Sequence, residues 1–99
     1  MNQLTTYLKE INYLCQQHKV KKLYVFGAAL TNSFNETSDI DLIVDFNNIE
    51  VEDYADNYFD FKFSLQDILN RPIDLLEEKA LENPYFKKTV LKDRELIYG

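Results

Sequence analysis

The run from Asp39 to Phe46, DIDLIVDF, alternates in a way that few folds can accommodate. Successive side chains of a strand point to opposite faces, so Ile40, Leu42, Val44 and Phe46 look one way while Asp39, Asp41, Ile43 and Asp45 look the other. A segment of this kind belongs in a sheet with one face buried under helices and the other left to carboxylates.

The rest of the chain supplies such partners. Leu4, Tyr7, Leu8, Ile11, Leu14 and Cys15 recur at helical spacing, which predicts an amphipathic helix from Asn2 to about His18. Leu23 to Phe26 reads as a short buried strand entered from Lys21 and Lys22 and stopped by Gly27. Ala28 to Phe34 reads as a short helix and Asn35 to Ser38 as a polar loop before the alternating strand. Tyr54, Tyr58, Phe61, Leu65, Ile68 and Leu69 mark a second long helix, which Asn70, Arg71 and Pro72 break because proline disfavours helical geometry in the residue before it. Ile73 to Leu76 is a third strand. Asn83 is placed to cap a helix over Pro84 to Leu91, with proline in the first position, and Glu95 to Tyr98 closes the chain as a last strand. The expected architecture is a single α/β domain over residues 1–99, a two-layer sandwich with helices on one face of a small mixed sheet and an open acidic face.

Charge and composition narrow the functional classes. The net charge is -6, and no basic residue occurs between Lys22 and Lys62, which argues against direct nucleic-acid binding because that affinity comes largely from Lys and Arg displacing phosphate counterions. The single cysteine, Cys15, cannot form an intramolecular bridge and has no neighbours at a zinc-site spacing. No apolar run reaches membrane-spanning length, so a cytoplasmic protein without a membrane partner is expected.

The chemistry resides in a constellation: a glycine at the end of the first strand, two aspartates two apart on the second, and one on the third. Asp39 and Asp41 share a strand face, and Asp74 on a neighbouring strand can join them. Oxygen-only donors suit Mg²⁺ or Mn²⁺, which keep water and substrate phosphates among their ligands. A helix starting at Gly27 would offer free N–H groups and its positive end to a phosphate. A calcium-binding EF-hand loop from Asp39 does not fit, since Val44 falls where glycine is needed and Ile43 where an oxygen ligand is needed.

Taken together, Leu23-Tyr24-Val25-Phe26-Gly27-Ala28, nine intervening residues, Ser38-Asp39-Ile40-Asp41-Leu42, and Arg71-Pro72-Ile73-Asp74-Leu75 resemble the minimal nucleotidyltransferases (MNT) of the DNA polymerase beta superfamily. The resemblance spans nearly the whole chain. It implies that Asp39, Asp41 and Asp74 are metal ligands and catalytic residues, with Asp74 also a general base, and that Gly27, Ala28 and Ser38 hold the nucleotide. It further implies a nucleoside triphosphate substrate, ATP foremost, and a role as antitoxin to a small helical HEPN-type ribonuclease; it leaves homo-oligomer formation open. The chain departs from the family pattern at Ala28, where serine is usual, and at Thr31 and Asn32, where arginine and glycine are frequent. Two functions follow: transfer of AMP to an acceptor hydroxyl on the partner, or neutralisation of the partner by binding alone.

Other features carry less. His18 reads as a helix-terminal cation or a surface residue, and Cys15 as core filler. Phe59 and Phe63 lie off the apolar stripe of the second helix, either widening its core contact or forming an exposed patch for another protein.

Overall fold

A computed structural model describes residues 6–26 and 39–99. Helix α1 (Leu8–Gln17) leads into β1 (Val20–Phe26); β2 (Ile40–Phe46), the long helix α2 (Val51–Leu69), β3 (Ile73–Glu77), a 3-10 turn (Glu78–Ala80), α3 (Pro84–Asp93) and β4 (Glu95–Tyr98) follow. The four strands form one mixed sheet in the order β3-β2-β1-β4, antiparallel except for the parallel pair β2 and β3. The mixed α/β class expected from the sequence is the class observed. The predicted short helix over Ala28 to Phe34, and the residues Gly27, Ala28, Thr31, Asn32 and Ser38, lie outside the described residues.

The alternation in β2 builds the core. Ile40, Leu42, Val44 and Phe46 pack with Leu23 and Val25 of β1 and Ile73 and Leu75 of β3. Helices α1 and α2 cover that layer with Ile11, Cys15, Phe61, Leu65 and Leu69. Removing such side chains from water contributes about 25 cal/mol per Å² of apolar area, so this face anchors the fold. The opposite face is covered in part: Val90 of α3 packs with Tyr24 and Ile43, and the Arg94 guanidinium lies 3.6 Å from the centre of the Tyr24 ring. The carboxylates therefore share their face with a small apolar cluster, which narrows the open region to one part of the sheet.

Strand β1 begins at Val20, earlier than the apolar run suggested, because a bulge places Val20 and Lys22 opposite the consecutive residues Phe46 and Asp45. The inserted Lys21 and the adjacent Lys22 both face solvent, which hides the strand's start from a search for alternation. Asn70 ends α2 in the left-handed conformation at φ 54°, its N–H bonded to Gln66 O at 2.8 Å. Asn83 caps α3 as expected, its side-chain oxygen accepting from the N–H groups of Tyr85 at 2.9 Å and Phe86 at 3.1 Å.

His18 is buried, which corrects the reading of it as a surface residue. Its Nδ1 lies 2.8 Å from Leu14 O and its Nε2 2.6 Å from an Asp60 oxygen, while Asn57 donates to the His18 carbonyl at 2.8 Å. These bonds lock the α1–β1 corner onto α2.

Candidate functional site

The parallel pairing of β2 and β3 puts Asp41 opposite Asp74, and the antiparallel pairing of β1 and β2 puts Phe26 on the other side of Asp41. Paired residues of neighbouring strands project to the same face, so Phe26, Asp41 and Asp74 form a lateral row. Asp39 stands one pleat before Asp41, where β2 starts; that start is fixed by Ile40 N–H donating to Pro72 O at 3.1 Å. Pro72 thus serves twice, interrupting the chain after α2 and supplying the carbonyl that seats β2 beside β3.

Asp41 is half-buried, whereas Asp39 and Asp74 are exposed. Burial raises the Asp41 carboxyl above its ordinary range, and the negative charges of Asp74 and then Asp39 raise it further. The charges of Asp74 and Asp39, both predicted from the sequence, thus act on Asp41. Among the described residues no three such side chains already converge on a common point as metal ligands would. An all-oxygen set that repels itself fits a hard divalent cation whose remaining ligands are water and phosphate oxygens, because that cation needs only two or three protein carboxylates.

The surroundings are aromatic on one side. Phe86 of α3 meets Phe26 edge to face with ring centres 6.5 Å apart, so the first turn of α3 stands beside the row of aspartates. Sequence reasoning missed this neighbour, since nothing local to Phe86 indicates which sheet face α3 crosses. At the other flank the Tyr58 hydroxyl donates to Leu75 O on edge strand β3, and burial followed by the Asp74 charge raises its phenol. Asp45, though on the same side of β2, belongs elsewhere: it lies about 13 Å along the strand from Asp41, at 3.3 Å per residue. There it lines a cleft with Glu77 and Lys79, the Lys79 ammonium 4.0 Å from its carboxylate.

A family model for the nucleotidyltransferase domain matches residues 9–97. A protein of Methanocaldococcus jannaschii named as a protein adenylyltransferase, MJ0128, is 38% identical over 90 residues, covering 91% of this chain and 87% of the relative. The solved structure of a minimal nucleotidyltransferase superposes with a TM-score of 0.76 at 25% identity, over 93% of this chain and 90% of the other. A chain from the complex of tri-AMPylated Shewanella oneidensis HEPN toxin with MNT antitoxin superposes with a TM-score of 0.66 over 96% of this chain and 71% of its own length; at 16% identity that likeness concerns the fold. Because the family match runs from α1 into β4 and takes in all three aspartates, this chain belongs to the nucleotidyltransferase domain family.

Proposed function

We propose that this chain binds ATP with Mg²⁺ or Mn²⁺ at Asp39, Asp41 and Asp74 and transfers AMP to a hydroxyl of a small helical HEPN-type protein, acting as its antitoxin. The observation that carries the reading is the lateral pairing of Asp41 with Asp74, whose charge, with that of Asp39, acts on Asp41. The relative named as a protein adenylyltransferase and the AMPylated toxin in the structurally similar complex support the choice of AMP and of partner.

When bound, the divalent cation supplies charge neutralisation at the triphosphate. Asp39 and Asp41 would hold that cation and, through it, keep the α-phosphate beside the acceptor. Asp74, more exposed than Asp41, takes the proton from the acceptor hydroxyl as the hydroxyl oxygen bonds to the α-phosphorus. The bond from that phosphorus to the bridging oxygen breaks, and pyrophosphate leaves with its electron pair. Gly27, Ala28 and Ser38 hold the triphosphate, a reading supported by their place in the runs that resemble the family.

A second reading, neutralisation by binding alone, is favoured by Ala28 and Thr31, which lack the hydroxyl and guanidinium frequent at these positions in the family. Charge-assisted contacts of that kind are worth about 1 to 3 kcal/mol each. The two readings separate in a labelling assay with radiolabelled ATP and a HEPN-type acceptor. Transfer should require divalent metal, disappear in Asp74→Asn, and rise at least about tenfold in Ala28→Ser with Thr31→Arg. A double variant that binds ATP and labels nothing would leave the binding-only reading.

A further inference from the structure

The long helix α2 has a second face that the fold does not use. Its buried stripe is Phe61, Leu65 and Leu69, yet Phe59 and Phe63 are 49% and 53% exposed. Spaced four apart, they lie one turn above the other and stack, ring centres 6.0 Å apart and planes 27° from parallel. Tyr58 meets Phe59 edge-on at 5.1 Å. The three rings thus present one continuous aromatic surface on the solvent side of α2.

Two hollows of opposite character flank Phe59. One is lined by Asp53, Asp56 and Asp60 together with Asn57 and Phe63. The other is lined mainly by Tyr54, Ala55, Tyr58, Leu75 and Leu76. The helix carries five acidic residues and a single basic one, Lys62. Asp60 keeps 73% of its side chain exposed even while it bonds His18.

We propose that this face of α2 is a docking surface for a cationic amphipathic helix of a protein partner, with aliphatic side chains in the apolar hollow and guanidinium groups against the aspartates and over the two phenyl rings. Guanidinium suits both surfaces, because its edge pairs with carboxylates and its face stacks on aromatic rings. The acidic rim repels nucleic acid and anionic lipid, which leaves a basic protein surface as the complementary occupant. The proposal deepens the partner element of the function above, but it stands on the charge and packing of α2 and requires no catalysis.

The test uses the full chain and a synthetic helical peptide of about 18 residues with leucines at helical spacing flanked by arginines, beside a counterpart in which glutamate replaces each arginine. The arginine peptide should bind, weaken with added salt, and shift amide resonances of α2 around Phe59 and Phe63. Phe59→Ser with Phe63→Ser should lower its affinity at least about tenfold. Asp56→Asn with Asp60→Asn, which leaves the aromatic pair intact, should weaken binding and flatten the salt dependence. Equal binding of the glutamate peptide, failure of the arginine peptide to bind, or shifts centred on Asp41 and Asp74 would overturn the proposal. So would a concentration-dependent dimer of the chain alone that Phe59→Ser abolishes, since the face would then belong to a second copy. Titrating Mg²⁺ and ATP into the same samples keeps the two ideas separate: nucleotide binding with no arginine-peptide preference sinks only the docking surface.

Discussion

His18 places both ring nitrogens against acceptors, Nε2 on Asp60 at 2.6 Å and Nδ1 on the Leu14 carbonyl at 2.8 Å, so this one residue joins the end of α1 to the middle of α2. The two partners should not matter equally. Asp60 is largely exposed, and an exposed polar contact of this kind contributes about 0 to 1 kcal/mol, whereas His18 is buried and tilts against Phe61 with ring centres 5.4 Å apart. Asp60→Asn should therefore cost less than about 1 kcal/mol in urea unfolding. His18→Ala should cost about 2 kcal/mol or more, because it empties a packed site and leaves the Leu14 carbonyl without its side-chain donor. Equal losses would mean that the contact with Asp60, and not the packing, fixes this corner.

Cys15 is fully buried among the core residues of α1 and β1, and burial pushes its thiol up to about 12. The thiolate is the reactive form, so at neutral pH the native protein should react with a disulfide reagent only on the timescale of unfolding, and immediately in denaturant. Rapid native labelling would show that this part of the core opens readily.

Asp41 carries a pH-dependent cost. Burial, Asp74 and Asp39 raise its folded carboxyl above the ordinary 3.8, so the folded state binds this proton more tightly than the unfolded one. The cost is absent below 3.8, develops as pH rises through the raised value, and persists above it. Asp41→Asn removes the charge and should raise the melting temperature of the metal-free protein at neutral pH, with the advantage fading under acid conditions. For a domain of this size each kcal/mol corresponds to roughly 4 to 8 °C. A variant less stable than its parent at neutral pH would show that Asp41 accepts a hydrogen bond more valuable than the repulsion it suffers.

The parts legible in the sequence were those with a local signature. The period of two in β2, the proline that ends α2 and the Asn83-Pro84 start of α3 each act within a few residues, and each element appears where it was expected. The aspartates were legible for the same reason, since i and i+2 on a strand share a face whatever surrounds them. What escaped depended on distant partners. His18 is buried because Phe61 of the distant helix α2 packs against its ring, and α3 crosses the second sheet face because Val90 finds Tyr24 and Ile43. The start of β1 was hidden by its bulge, which sets two lysines in succession toward solvent. Phe59 and Phe63 were ambiguous from spacing alone; their exposure selects the patch over a wider core.

The claim that Asp39, Asp41 and Asp74 form one cation-dependent nucleotide site is tested most directly by Mn²⁺ titration with ATP, followed by paramagnetic broadening of backbone amides. Broadening centred on residues 39–41 and 74, tighter Mn²⁺ binding when ATP is present, and loss of both effects in Asp41→Asn are expected. Broadening centred on Asp45 and Glu77 instead, or an Asp41→Asn variant that binds Mn²⁺ and ATP as the parent does, would contradict it.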